Sequence, residues 1–287
     1  MLRQSSRCLL LVVPGVGWLT LLLVVPCLRR VGAAVFERGV YGGIDYNPTL
    51  ENFRRAGETV YFSIFWTSAK IAGLATIVAL LIGYPAAYAI ARAPAHRQTR
   101  YLVLVMLPFW SNYLIRTYAW IVLLNREGLI NRGLGGLGII DEPLDILNNQ
   151  FAIVTGLVYN YLPFVILAIY SSIQQLNREV LEASEDLGAP GWRTFLRVTL
   201  PLTMPGVAAG AVFVFVLSIG NFITPDLLGG GRIQMVGNLI YDQFLTARDW
   251  PFGAALSMIL ILIMMGLLFA QAVATNRAQR SRGSLDG

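Results

Sequence analysis

Residues 174–206, QQLNREVLEASEDLGAPGWRTFLRVTLPLTMPG, decide how this chain is read. The stretch lies between two long apolar runs, yet it is neither disordered nor simply basic. Residues 174–187 are good helix formers throughout, and Ile173, Leu176, Val180, Leu181 and Leu187 give one apolar stripe. Gly188 is free to take a left-handed turn, and Pro190-Gly191 marks a stop. A second short helix is expected over about 192–198, ending before Leu200-Pro201. The whole reads as helix, turn, helix lying on one face of a membrane.

The membrane follows from composition. Of 287 residues only 13% are charged, against about 25% in an average soluble domain. Apolar residues make up 56% and the mean hydropathy is +0.61, so a water-soluble fold would lack the charge to cover its surface. Disorder is excluded by the same figures. Cys8 and Cys27 sit in one apolar run, which excludes a disulfide framework.

A bilayer core about 30 Å thick needs roughly 20 apolar residues per spanning helix. Six windows meet that: 9–28, 63–91, 101–124, 151–173, 204–224 and 252–274. The second is longer than needed, so it tilts or begins as an interfacial segment. No alternating polarity of the barrel kind occurs. The expected fold is therefore an all-α polytopic membrane protein of six transmembrane helices, with the loop of the fourth-to-fifth connection carrying the informative stretch. Residues 1–62 form an anchor span and outer loop. Residues 63–287 form a core domain of five spans, with the loop at 174–203. The first window is expected to be a retained anchor: its apolar run exceeds a signal-peptide h-region, and the small-residue pattern Gly32-Ala33-Ala34 falls after Arg29-Arg30.

Orientation follows from basic residues. With an inside N-terminus, the inner segments hold 11 arginines (3, 7, 92, 97, 100, 178, 193, 197, 277, 280, 282) and the outer loops nine. The inner loop of residues 92–100 is very short and wholly basic. Both termini are thus expected inside, and the pI of about 9.5 reads as membrane orientation. A soluble basic face with stacking aromatics, as nucleic-acid binding requires, is not visible.

No active-site chemistry is written into the chain. It has no Gly-x-x-x-x-Gly-Lys-Ser/Thr loop, no His-Glu-x-x-His pattern and no Gly-x-Ser-x-Gly elbow. The single histidine, His96, lies in the basic inner loop, where a solvated place suits it better than a metal. Acidic residues are missing from the middle of every window, and ion coupling would need some there. Energy, if used, comes from a partner.

The quoted loop resembles the cytoplasmic EAA motif of permease subunits in binding-protein-dependent (MetI-like) ABC importers: Glu-Ala-Ala, three residues, Gly, nine residues, Ile-x-Leu-Pro. Glu182, Ala183, Ser184, Gly188, Val198, Leu200 and Pro201 meet it with every spacing kept. Ser184 stands for Ala and Val198 for Ile, both small changes in volume. The resemblance implies a coupling helix that docks into a groove on an ATPase subunit. Geometry suits that work: Ala183 and Ser184 give a small surface, Gly188 a bend, and Pro201 with Pro205 a stiff junction to the fifth span.

Residues 83–94 (GYPAAYAIARAP), 107–124 (LPFWSNYLIRTYAWIVLL) and 221–244 (NFITPDLLGGGRIQMVGNLIYDQF) are similar to stretches of spermidine/putrescine importer permeases of the PotB and PotH type. With the loop, the resemblance covers about residues 50–275. It implies a multi-pass bacterial inner-membrane subunit, not an enzyme. The implied partners are an ABC ATPase dimer, a second permease chain that is identical or different, a periplasmic solute-binding protein and membrane lipid, with no nucleic acid. It also implies that this chain binds no cofactor or metal, ATP and magnesium belonging to the ATPase. The implied mechanism is alternating access, ATP closure driving the coupling helices together and hydrolysis resetting the pore. The other readings are an ion-coupled secondary transporter and a membrane enzyme or structural assembly subunit.

Candidate pathway residues are harder to place. At 100° per residue, Trp110, Tyr113, Arg116, Thr117 and Trp120 share one face of the third window, a pathway or a subunit interface. Arg116 counts against a polycation there, since like charge is costly at low dielectric. It lies roughly 22 Å along a helix from Tyr101, which suits snorkelling at the outer mouth. Asp226, following Thr224-Pro225 at the outer end of the fifth span, either receives the solute or belongs to a loop that docks the binding protein, and Asp242 and Asp249 share that loop.

Overall fold

A computed structural model describes residues 14–39 and 42–283. Arg3, Arg7 and Cys8 lie outside the described residues, as do the side chains of Arg178, Glu185, Arg277, Arg280 and Arg282. In chain order the elements are α1 (Pro14–Ala33), β1 (Phe36–Arg38), β2 (Ile44–Pro48), α2 (Glu51–Ala56) and α3 (Thr59–Arg92). Next come α4 (Ala95–Met106), a 3-10 turn (Leu107–Trp110), α5 (Tyr113–Leu124), α6 (Leu129–Gly136) and α7 (Gln150–Gln174). The chain continues through α8 (Arg178–Asp186), α9 (Gly191–Ile219), α10 (Ile223–Gly229), α11 (Val236–Leu245) and α12 (Trp250–Gly283).

Five of these helices are long and apolar enough to cross a bilayer: α1, α3, α7, α9 and residues Trp250–Val273 of α12. The 34 residues of α3 run about 51 Å at 1.5 Å per residue, well beyond a 30 Å core. Window 101–124, expected as one span, is instead broken into α4, the 3-10 turn and α5. The cause is local. Pro108 has no N–H for a helical bond, Ser111 and Asn112 are extended, and Asn112 turns its side-chain oxygen to the Leu114 amide at 2.8 Å, starting a new helix.

A second expectation is also corrected. The short helix after Gly191 does not stop before Leu200-Pro201 but runs on as the start of α9, through a π turn at Phe195–Thr199. Pro201 cannot donate to the carbonyl four residues back, and the wider turn takes up its ring.

The chain forms two compact units. One joins the segment up to Phe62 with Leu239–Ile263. Here the loop after α1 holds a small antiparallel hairpin, Glu37 facing Asp45 and Arg38 facing Ile44, turned by Gly42 and Gly43 at φ of 90° and 86°. Asn52 holds it, its amide donating to Ala34 O and Phe36 O at 3.0 and 2.8 Å. Asp249, read from sequence as a solvated loop residue, is only 1% exposed. It accepts from Arg55 at 2.8 Å and from the Phe252 amide at 3.2 Å, capping α12. Arg55 also lies 4.0 Å from the Phe252 ring centroid. Burial draws the Arg55 guanidinium down while its bonds to Asp249 and Tyr61 draw it up, and the balance lies above its usual value. The Arg55 guanidinium therefore stays charged.

The other unit is Ser63–Asn238 with the segment from Met264. Its core is built from Ile71, Ala75 and Ala79 of α3, Ile153, Leu157, Val165 and Ile169 of α7, and Val214 of α9. α7 lies at the centre, packed on α9, α10 and α5. Close approach of α9 to α7 depends on Gly206: a Cβ there would meet Ser172 and lie 2.9 Å from the Ala168 carbonyl. Small residues bring helices together where lipid offers no hydrophobic drive.

Candidate functional site

The loop quoted at the outset folds as a helix, a glycine turn and the first turns of α9. α8 ends in a left-handed cap, with Gly188 at φ 74° and the Ala189 amide bonded to Ser184 O at 3.2 Å. Gly191 then opens α9 behind Pro190, whose carbonyl takes the Arg193 amide at 2.8 Å. The Ser184 hydroxyl meets the buried Thr194 hydroxyl at 2.9 Å, tying α8 to α9. Phe195 is held edge-on between Tyr84 and Tyr88 of α3, at 5.6 and 5.3 Å. The loop is thus fixed to the bundle through one aromatic and one hydroxyl pair.

Its other side is open. Glu182 and Ala183 are exposed, and so are the apolar Leu187 (88%) and Trp192 (62%). Val198 and Leu200 are half-buried within α9 and Pro201 is exposed. Two large apolar side chains are thus held out beside a capped, anchored turn.

A second polar cluster lies inside the helix bundle. Asn221, at the end of α9, donates to Tyr113 Oη of α5 at 2.6 Å and to Tyr161 Oη of α7 at 2.7 Å. Tyr113 Oη also meets Thr224 Oγ1 of α10 at 2.6 Å, and Asn221 Oδ1 accepts from the Thr224 amide at 2.9 Å. Four elements are joined by neutral groups that need no counter-charge, which suits a low-dielectric site. Arg116 is buried, donating to Pro108 O at 3.0 Å and lying 5.0 Å from the Phe109 ring centroid. It therefore pins the 3-10 turn to α5. Its Nε has no partner.

Of the five residues expected on one face, Tyr113, Arg116, Thr117 and Trp120 do share a side of α5. Thr117 is fully buried and Trp120 sits edge-on to Tyr159 at 5.4 Å. Trp110 does not join them: it ends the 3-10 turn, 78% exposed, because the helical wheel is interrupted at Ser111. Asp226 is exposed in the first turn of α10. Sequence reasoning missed Asn221 and Tyr161; a lone amide at the end of an apolar window was the available signal. Lys70 reaches back over the Trp66 ring at 5.3 Å, and His96 is exposed, accepting from Arg97 at 3.3 Å. Among the described residues no cluster of His, Cys, Asp or Glu has the makings of a metal site.

Comparison with known proteins agrees with this architecture. Residues 101–280 match the family described as "binding-protein-dependent transport system inner membrane component". The spermidine/putrescine transport system permease protein PotB of Haemophilus influenzae is 41% identical over 253 residues, 88% of each chain. PotB of Escherichia coli is 41% identical over 258 residues, 90% of this chain and 94% of its own. A chain of the bacterial alginate ABC transporter, solved in complex with an alginate pentasaccharide-bound periplasmic protein, superposes with a TM-score of 0.79 over 96% of both chains at 15% identity, which speaks to the fold alone. This chain belongs to the inner-membrane components of binding-protein-dependent transport systems, as a permease subunit of an ABC importer and not an enzyme.

Proposed function

We propose that this permease carries polyamines, spermidine or putrescine, inward across the bacterial inner membrane. The observation that carries the reading is 41% identity to PotB permeases over nearly nine-tenths of this chain and of theirs. The assembly we envisage has two permease subunits, identical or different, an ATPase dimer that binds ATP and magnesium, and a periplasmic binding protein. In it, α4, the 3-10 turn and α5 together make the third of six crossings, and both termini face the cytoplasm. The short basic segment of residues 92–100 supports that orientation.

The coupling role falls to Glu182, Ala183, Ser184, Gly188, Val198, Leu200 and Pro201. Support comes from the division of labour in the loop: Ser184 and Gly188 fix its shape, Glu182 and Ala183 face outward, and the rest lead without a break into α9. A push on α8 is then delivered to α9 as a rigid body. Trp120 meets Tyr159 of α7, Tyr113 reaches Thr224 and Asn221, Thr117 is fully buried and Arg116 ties the 3-10 turn to α5, while Trp110 and Asp226, both exposed, are the groups available to solute or to a neighbouring subunit. An aromatic face and a carboxylate suit an ammonium-bearing solute.

The test is uptake by proteoliposomes containing the complete complex. ATP-dependent accumulation of labelled spermidine or putrescine, abolished without binding protein, is expected. Full-rate transport of a neutral or anionic solute with no polyamine uptake would overturn the substrate and leave the importer.

A further inference from the structure

The loop that carries α8 is tied to the C-terminal end of α3 on both sides. Downstream of α8, Phe195 lies edge-on between Tyr84 and Tyr88. Upstream, Gln98 in the first turn of α4 spends its whole side-chain amide. The nitrogen donates to Ala91 O at 3.0 Å and to Ala93 O at 2.8 Å, where α3 ends. The oxygen accepts from Tyr170 Oη at 2.9 Å and from Gln174 Nε2 at 2.8 Å, both on α7. Two donated and two accepted bonds are the full capacity of such an amide. Gln174 also donates to Tyr170 Oη at 3.1 Å, which closes the network on the α7 side.

The network sits where α8 leaves the bundle. α7 ends at Gln174 and α8 begins at Arg178, with Asn177 Oδ1 accepting the Glu179 amide at 3.0 Å. The elbow between α3 and α4 is itself closed, since Pro94 O accepts the Arg97 and Gln98 amides at 2.7 and 3.3 Å. A closed elbow is therefore bonded to the last turns of α7 through the Gln98 side chain. Further back, α3 is set against α7 by Gly83, where a Cβ would lie 2.7 Å from the Val165 side chain, and Pro85 then removes one backbone bond from the helix. Residues 86–92, beyond that missing bond, are held at Tyr88 by Phe195 and at Ala91 by Gln98.

We propose that Gln98 is a positioning residue of transport: acting through Tyr170 and Gln174, it makes the α3–α4 elbow move with α8, so that a push on α8 reaches α3 and α4 as well as α9. This rests on the coupling role proposed above for the loop around Gly188. The two halves of the amide do different work. The nitrogen shapes the elbow, and the oxygen ties that elbow to the helix from which α8 departs. Hydrogen bonds fix direction as well as distance, which an apolar contact of the same size does not. Gln98 is only half-buried, so water takes over its bonds when they are lost, and the joint loosens without unfolding the chain.

The experiment uses the complete complex in proteoliposomes and reads ATP hydrolysed per labelled spermidine or putrescine taken up, with the unfolding temperature as a check on the fold. Gln98→Leu removes the whole amide. Tyr170→Phe combined with Gln174→Leu removes only the bonds to α7 and leaves the elbow intact, so it tests the bridge even if Gln98→Leu fails to fold. Gln175→Leu is the control, because that amide reaches only Ser171 within α7, at 3.5 Å. Expected is a rise of about threefold or more in ATP per solute for both bridge variants, no larger when they are combined, with the control at the wild-type ratio and all unfolding temperatures close to wild type. A wild-type ratio in both bridge variants, a rise in Gln98→Leu alone, additive rises on combination, or an equal rise in the control overturns the proposal. Gly188→Val, measured alongside, keeps the two readings apart. If it impairs transport while the bridge variants keep the wild-type ratio, the role of Gln98 falls alone; if it leaves transport unchanged, the coupling role of the loop falls and takes the role of Gln98 with it.

Discussion

Gly188 is constrained by its backbone and not by crowding. A Cβ built there meets nothing within 4 Å, yet φ is 74°. The left-handed conformation costs an ordinary L-residue about 1–2 kcal/mol, and a β-branched one fares worst. Gly188→Val should leave the protein in the membrane while cutting ATP-coupled transport several-fold, and Gly188→Asn should keep most of it, because asparagine tolerates that cap. Uptake by proteoliposomes at equal protein separates the two. Equal activity of Val and Asn variants would mean that the turn is not part of coupling. Asp249 is a different kind of constraint, a buried carboxylate serving two donors. Losing one partner of a buried pair costs about 3–5 kcal/mol, but the Arg55 side chain is 38% exposed and water recovers part of that. Asp249→Ala should therefore cost about 1–3 kcal/mol, and Asp249→Asn less, since it still caps the Phe252 amide. Thermal unfolding in detergent reads both.

At the scale of elements, α7 and α9 pack through a glycine contact. Gly206 has Ser172 and the Ala168 carbonyl where a side chain would go. Gly206→Leu should overpack that contact by about 1–3 kcal/mol and lower the unfolding temperature, whereas Ala211→Leu, on the wall of an open groove, should be tolerated. Equal destabilisation by both would deny α7 and α9 their close packing. The long apolar helices were legible because twenty apolar residues in a row have few other solutions. The helix and turn around Gly188 were legible because Gly188, Pro190 and Gly191 punctuate them. The break in window 101–124 was not, although Pro108 and Asn112 were in view: hydropathy averages over the window, while the break depends on one side-chain cap and on Arg116 folding back to Pro108. The polar cluster was hidden for a related reason. Asn221, Tyr113 and Tyr161 are far apart in sequence, and only the packing of α5, α7 and α9 brings them together. Asp249 looked like a loop charge because its partner, Arg55, lies 194 positions away.

At the scale of the whole molecule, everything about direction depends on whether the broken segment crosses the bilayer. α4 and α5 have twelve residues each, about 18 Å apiece at 1.5 Å per residue, so neither spans a 30 Å core alone. Joined end to end they suffice, and Arg116, whose buried guanidinium holds the junction, faces protein and not lipid, as irregular backbone at membrane depth requires. If they cross together, the count is six and the termini share a side. If they turn back, the count is five, and the loop around Gly188 falls on the face opposite the segment at Arg97. Single cysteines decide between these in a background with Cys8 and Cys27 replaced by serine. Arg97→Cys, Arg193→Cys, Asp45→Cys and Asp141→Cys are all at exposed positions. In intact cells an impermeant thiol reagent should label positions 45 and 141 and spare 97 and 193, with all four labelled once the cells are opened. Labelling of 193 but not 141 in intact cells would mean that α4 and α5 re-enter on one side. The loop would then face away from any ATPase, and the coupling reading would fall with the sixth crossing.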